Sequence, residues 1–145
     1  MLLNPAPAPT RPLDSKVLNS VDLLTPNESE AFSLTGISVS TPEGAIKAAK
    51  CLSEIGVKQA VITLGGKGCV YGNGAGFYHM PAISLGNIVD STAAGDSFSA
   101  ALAVALIEGR TLGQAVSFAT QVSALTVMRK GAQPSLPYRS EVEEI

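Results

Sequence analysis

The residues best suited to chemistry lie in one stretch, Asp90-Ser91-Thr92-Ala93-Ala94-Gly95-Asp96-Ser97-Phe98. It runs into Phe98 to Ile107, where Phe98, Ala101, Leu102, Ala105 and Leu106 recur at helical spacing and Ala and Val fill most of the other face. The pattern predicts a helix buried nearly all round, with Gly109 placed to end it. The first N–H groups of a helix have no intrahelical acceptor and carry partial positive charge, so they favour an anion. Ala93, Ala94 and Gly95 put almost no side-chain bulk at that end, and Gly95 lets an oxyanion approach the backbone. Asp96 has two readings. It either favours the helix dipole from the first turn or acts as a general base that takes a proton from a hydroxyl attacking a bound phosphate.

Two further sets have the right residue types. Asn27 and Glu30 lie three apart, after Pro26 and before Ala31, Phe32 and Leu34, and this spacing suits a helix N-cap and its capping-box partner, with Gly36 closing the helix. Thr63-Leu64-Gly65-Gly66-Lys67-Gly68 joins two apolar runs through a glycine-rich turn. It lacks the spacing of a Walker A loop, so alone it reads as a hairpin connection. Asp90, outside the helix, reads as a turn aspartate that accepts from nearby N–H groups. His79 is the sole histidine and sits in an alternating run, where a structural role is expected.

Elements that could hold these residues follow from punctuation and period. Leu2-Leu3 reads as a strand end, followed by a proline-rich turn from Asn4 to Pro9. Val21–Thr25 reads as a short strand stopped by Pro26. Thr41 and Pro42 start a helix whose buried stripe is Ala45, Ala48, Ala49, Leu52 and Ile55, ending at Gly56. Residues 59–64 form a buried β-branched strand, and residues 69–80 a second hairpin around Asn73-Gly74-Ala75-Gly76. Leu112, Ala115, Val116, Ala119 and Val122 mark a helix between Thr111 and Val127, and residues 140–145 look like the start of another. Helices alternating with apolar strands indicate a layered α/β domain.

With 145 residues, 46% hydrophobic and 15% charged, the chain supports one domain with a real core. The formal net charge is −2 and no Lys/Arg run occurs, so neither nucleic acid nor an anionic membrane is an expected partner. Cys51 and Cys69 lack zinc-ligand spacing and read as small hydrophobes in a reducing compartment. No signal peptide or membrane-spanning run is read, so a cytoplasmic location is expected.

Thr92-Ala93-Ala94-Gly95-Asp96-Ser97-Phe98 closely resembles the second signature of the ribokinase-like (PfkB) carbohydrate kinases, and Arg129-Lys130-Gly131-Ala132-Gln133-Pro134-Ser135 is similar to that family's carboxyl-terminal segment. Asn4-Pro5-Ala6-Pro7 resembles a segment that sits past the middle of a longer family chain. The resemblance therefore covers residues 1–145 as the C-terminal, nucleotide-binding half of the domain. The amino-terminal half, which brings most sugar contacts and a small β-sheet lid, is absent. The fold implied is a three-layer α/β/α ribokinase-like fold, with a mostly parallel sheet and a β-hairpin.

The resemblance implies ATP-dependent phosphorylation of a sugar hydroxyl, with the carboxyl-terminal segment favouring ribose to ribose 5-phosphate. Asp96 would be the general base and meet the substrate, and Ala93, Ala94 and Gly95 would form the anion hole. Asn27 and Glu30 match an Asn-x-x-Glu hub that orients the nucleotide phosphates and Mg²⁺. Thr63, Leu64, Gly65, Gly66, Lys67 and Gly68 match a segment whose backbone lines the nucleotide, although Lys67 falls at a variable position. Thr120 falls where the family often places His or Asn against adenine. A monovalent cation, K⁺, would be held by the Asp90 side chain, by backbone oxygens of Thr92, Thr126, Arg129 and Gly131, and by the Ser135 hydroxyl. The expected partners are a small sugar and ATP, together with either the missing half or a second copy in a homodimer. Alternatives are a non-catalytic nucleotide-binding fragment or interaction module, and a PfkB kinase for another sugar or a nucleoside.

Overall fold

The computed structural model describes residues 1–8 and 13–145. Pro9, the end of the expected proline-rich turn, lies outside them. The chain divides into two units, Met1–Pro81 and Ala82–Ile145.

The first unit holds a five-stranded sheet in sequential order: β1 (Leu2–Leu3), β2 (Leu23–Leu24), β3 (Gln59–Thr63), β4 (Cys69–Asn73) and β5 (Gly76–Met80). β1 and β2 pair in parallel, as do β2 and β3, whereas β3–β4 and β4–β5 are antiparallel. The sheet is thus mixed where a mostly parallel one was expected. The reason is connection length: the short links after Thr63 and Asn73 can join only antiparallel neighbours, while the long links between β1, β2 and β3 permit crossovers.

Three helices belong to this unit: α1 (Ser15–Ser20), α2 (Glu28–Thr35) and α3 (Pro42–Glu54). α1 was not expected. It is capped by Asp14 and buries only Leu18, too little to mark a period. α2 and α3 start at the expected caps, Asn27 and Thr41, and Gly36 closes α2 in the left-handed conformation. Ala45, Ala48, Ala49 and Leu52 of α3 pack with Leu24, Ala60, Ile62, Leu64 and Val70 in the core of this unit. Ile55, expected in that stripe, is exposed because the helix ends at Glu54 and Ile55 is already its C-cap.

The second unit is helical: α4 (Ala94–Ile107), α5 (Leu112–Thr126) and the short α6 (Arg139–Glu143). α4 packs against α5, with Phe98, Leu102 and Ala105 of the one and Val116, Ala119 and Val122 of the other buried. α4 is not buried nearly all round. Ala100, Val104 and Ile107, spaced along one face, are exposed, and Ile107 is 87% accessible. Composition alone marked this helix as apolar, and apolar composition does not require a neighbour on every side. Arg139 pairs with Glu108 and Glu143, and Arg129 with Glu141, tying α6 to the end of α4 and to the turn after α5.

Among the described residues no helix is long and apolar enough to cross a membrane. Both cysteines are free thiols, and burial pushes the Cys69 thiol up to about 12.

Candidate functional site

In the first unit, two backbone crossings bring the expected nucleotide residues together. The Thr63 N–H donates to the Pro26 carbonyl at 3.0 Å, and Asn27 and Thr63 form an isolated parallel bridge. The start of α2 therefore lies beside the end of β3. The Asn27 Oδ1 accepts from the Glu30 N–H at 2.9 Å and from the Ser29 hydroxyl at 2.8 Å, while the Glu30 Oε2 accepts from the Asn27 N–H at 2.9 Å. Glu30 is only 3% exposed, a rare burial for a carboxylate that this reciprocal cap explains. Asn27 itself is exposed, and among the described residues its amide nitrogen has no partner, so a donor remains at the helix entrance.

The turn after β3 is a 3-10 turn over Gly65–Lys67. Three of its amides are used internally: Leu64 N–H to Gly68 O at 2.8 Å, Lys67 N–H to Leu64 O at 3.0 Å, and Gly68 N–H to Gly65 O at 3.1 Å. Among the described residues, the amides of Gly65 and Gly66 take no acceptor. Both glycines are exposed, and a Cβ at either would meet nothing within 4 Å. The turn therefore offers two open N–H donors with room for a ligand. Leu64 faces the core at 2% exposure, so only its backbone can serve a ligand. The Lys67 ammonium is engaged by the Ser40 carbonyl at 2.6 Å, with Glu28 at 3.9 Å, which makes it an anchor of the turn.

His79 was set aside as structural. Its Nε2 lies 2.7 Å from the Lys67 carbonyl. A usable signal existed in the alternation of β5: His79 shares a face with Phe77, which packs against the core.

In the second unit, α4 opens as a bare tip. Ala93, its N-cap, is left-handed at φ +62°, and no side chain caps the helix. The Ala94 N–H is taken by Ser91 O at 3.2 Å, and the Ser97 N–H by Ala93 O at 2.8 Å. Among the described residues the Ala93, Gly95 and Asp96 amides have no acceptor, so of the expected Ala93–Gly95 set only the Ala94 amide is engaged, and the Asp96 amide adds to it. A Cβ at Gly95 would meet nothing within 4 Å, which leaves the tip accessible. Asp96 is exposed in the first turn, and its carboxylate makes no hydrogen bond or ion pair among the described residues.

Asp90 links the approach to this tip with the turn after α5. Its Oδ1 accepts from the Thr92 N–H and its Oδ2 from the Gly131 N–H, each at 2.9 Å. The Val89 and Asp90 amides donate to Val127 O at 2.8 and 3.2 Å. The Thr92 hydroxyl, with the Gly131 and Thr92 amides, holds the Asp90 carboxyl down at about 2. Asp90, Thr92 and Gly131 are thus brought together, with Thr126 adjoining Val127. Thr126 and Ser135 are fully buried, their hydroxyls donating to Val122 O and Ala132 O, and Thr126 O already accepts from the Arg129 N–H. The donors expected around a cation are all oxygens, as an alkali ion requires, and each Asp90 oxygen keeps a lone pair beyond its one amide. Thr120, expected near adenine, is 7% exposed, and its hydroxyl donates back to Val116 O at 2.8 Å, so its one donor is used within the helix and only its lone pairs remain.

No cluster of three or more His, Cys, Asp or Glu suited to a metal occurs among the described residues. A Mg²⁺ ion brought in with nucleotide needs no such cage, because phosphates and water supply most of its ligands.

Comparison with known proteins gives the family and the fold. A family model described as pfkB family carbohydrate kinase matches residues 1–139. The ribokinase of Haemophilus influenzae is 38% identical over 99% of this chain and 46% of its own length. The crystal structure of Thermotoga maritima ribokinase superposes with a TM-score of 0.86 at 39% identity, over 99% of this chain and 47% of that one. Arabidopsis thaliana ribokinase, solved in complex with ribose and ATP, gives a TM-score of 0.91 at 35% identity, over 99% and 46%. The fold is therefore ribokinase-like, and the chain spans about half the length of the curated relatives it matches.

Proposed function

Because the chain belongs to the pfkB family of carbohydrate kinases, we propose that it carries the nucleotide-binding and base-bearing part of an ATP-dependent sugar kinase, with ribose as the acceptor and ribose 5-phosphate as the product. The ribokinases it resembles support the choice of sugar. The observation that carries the reading is the uncapped tip of α4, whose open Gly95 and Asp96 amides sit in the same turn as an unpaired carboxylate.

Each set of residues has a role in this reading. In the first unit, the open amides of Gly65 and Gly66 line the nucleotide, and the Asn27–Glu30 hub orients its phosphates. Mg²⁺ would neutralise charge on those phosphates when bound. In the second unit, the amides at the tip of α4 hold the migrating phosphoryl group, where charge accumulates in the transition state. Asp96 takes the proton from the sugar hydroxyl as that oxygen bonds to the terminal phosphorus. The bond from phosphorus to the bridging oxygen breaks, and the electron pair leaves with ADP. K⁺, held by Asp90 and the oxygens around it, would strengthen the positive field behind the tip.

The test is phosphoryl transfer from Mg-ATP to ribose by a full-length kinase carrying this chain. Asp96→Asn is expected to lower kcat by ~10²–10⁴-fold while nucleotide affinity stays within about threefold. Retained turnover would reject Asp96 as the base. For the 145-residue chain alone a second reading is favoured by its coverage of about half of each relative: it binds nucleotide without turning over sugar, and efficient ribose phosphorylation by the chain alone would refute that.

A further inference from the structure

We propose that His79 is a positioning residue for the nucleotide-lining turn, holding the Lys67 carbonyl so that the Gly65 and Gly66 amides stay open to a ligand. This rests on the nucleotide role given above to the turn. A carbonyl oxygen only accepts, so the contact at 2.7 Å requires the proton on Nε2, which is present both in the matching neutral tautomer and in the imidazolium. The residue reaches the turn from another strand. Register pairs His79 with Val70, and Thr63 with Cys69, so the β3–β4 turn projects past the end of β4 where the His79 ring can meet it.

The chosen carbonyl matters because of what shares its peptide plane. The Lys67 carbonyl and the Gly68 N–H belong to one rigid unit. With the carbonyl held by His79, the Gly68 N–H is directed to Gly65 O at 3.1 Å, which closes the turn. Gly68 sits at φ +92°, a conformation open to glycine with little cost, so the local chain does not by itself lock this peptide. Were the plane to flip, the Gly68 amide would lose its acceptor and the Gly65 carbonyl would be freed next to the two ligand donors. An oxygen there would repel phosphate. The Lys67 side chain, anchored on Ser40 O, fixes the turn at one point only, and the imidazole supplies the second.

Amide hydrogen exchange at Gly68, read without nucleotide, and calorimetric affinity for Mg-ATP test this on the 145-residue chain. His79→Phe keeps a ring of similar size but has no donor, whereas His79→Gln restores an N–H at a similar reach. One lost hydrogen bond gives about tenfold faster Gly68 exchange and about tenfold weaker Mg-ATP binding in His79→Phe, and His79→Gln returns both to within about threefold of wild type. Unchanged Gly68 exchange in His79→Phe overturns the inference whatever happens to nucleotide. A Gln variant that behaves like Phe overturns it too, since packing and not the donor would then be responsible. If the wild-type chain fails to bind Mg-ATP, the nucleotide role falls, and the exchange result distinguishes that failure from a failure of the tether.

Discussion

Ala93 is the one non-glycine residue with positive φ among the described residues, and it stands where α4 meets its proposed ligand. An L-residue there is strained by about 1–2 kcal/mol. The benefit is geometric: the chain turns sharply enough that the Gly95 and Asp96 amides emerge with no side chain over them. Glycine would relieve the strain but gains freedom in the unfolded chain, so the two effects nearly offset. Ala93→Gly is therefore expected to leave the denaturation midpoint unchanged or slightly raised, where the same change inside a helix costs about 1 kcal/mol. Ala93→Val should destabilise by more than about 1 kcal/mol, because a β-branched residue tolerates this conformation poorly. Chemical denaturation of both variants decides it, and a tolerated valine would show that the left-handed cap is absent in solution. No rule for reading sequence would have found this residue. Alanine is the least informative side chain for a special φ, and the run Ala93-Ala94-Gly95 read simply as a lack of bulk.

At the scale of elements, the segments that were legible are those whose ends are written in side-chain chemistry. α2 shows every sign: Asn27 as cap, Glu30 three residues on, and Gly36 at the left-handed close. α5 begins with a Thr111–Gln114 box, and α3 with Thr41 and Pro42. α1 has a cap in Asp14 but buries only Leu18, so no apolar period followed the cap to mark a helix. The loops were harder to read, because their contacts join residues far apart in sequence. Asp90 was readable as a turn aspartate bonding local N–H groups, whereas its nearness to Gly131, 41 positions away, came only through the family resemblance that groups both around a cation, and the direct bond between them was not read. That bond makes Asp90 a clamp between the approach to α4 and the turn after α5. Its carboxyl is held near 2 in the folded state, below the usual carboxylate value, so its stabilising contribution is present above about pH 4 and lost as pH falls through about 2. The amide signals of Thr92 and Gly131, followed from pH 5 to pH 1, should move together with a midpoint near 2. A midpoint near 4 would mean that the clamp is not formed.

At the scale of the whole molecule, the family was legible because its signature lies in contiguous residues, and both antiparallel pairings were legible in the short glycine-rich links that read as hairpins, whereas the sheet order set by the long links between β1, β2 and β3 was not. Exposure was the other blind spot. The apolar line Ala100, Val104 and Ile107 on α4 looked like core by composition, and Ile55 by its helical spacing, one residue past where α3 ends. The chain matches its relatives over nearly all of its own length but only about half of theirs, so the claim most open to test is the one its own residues make: that the tip of α4 takes the phosphate to be transferred. The most direct measurement is a titration of the isotope-labelled chain with Mg-ATP, following backbone amide shifts. The account predicts saturable movement of the Gly95 and Asp96 amides. Saturable binding that leaves both amides unmoved would contradict it.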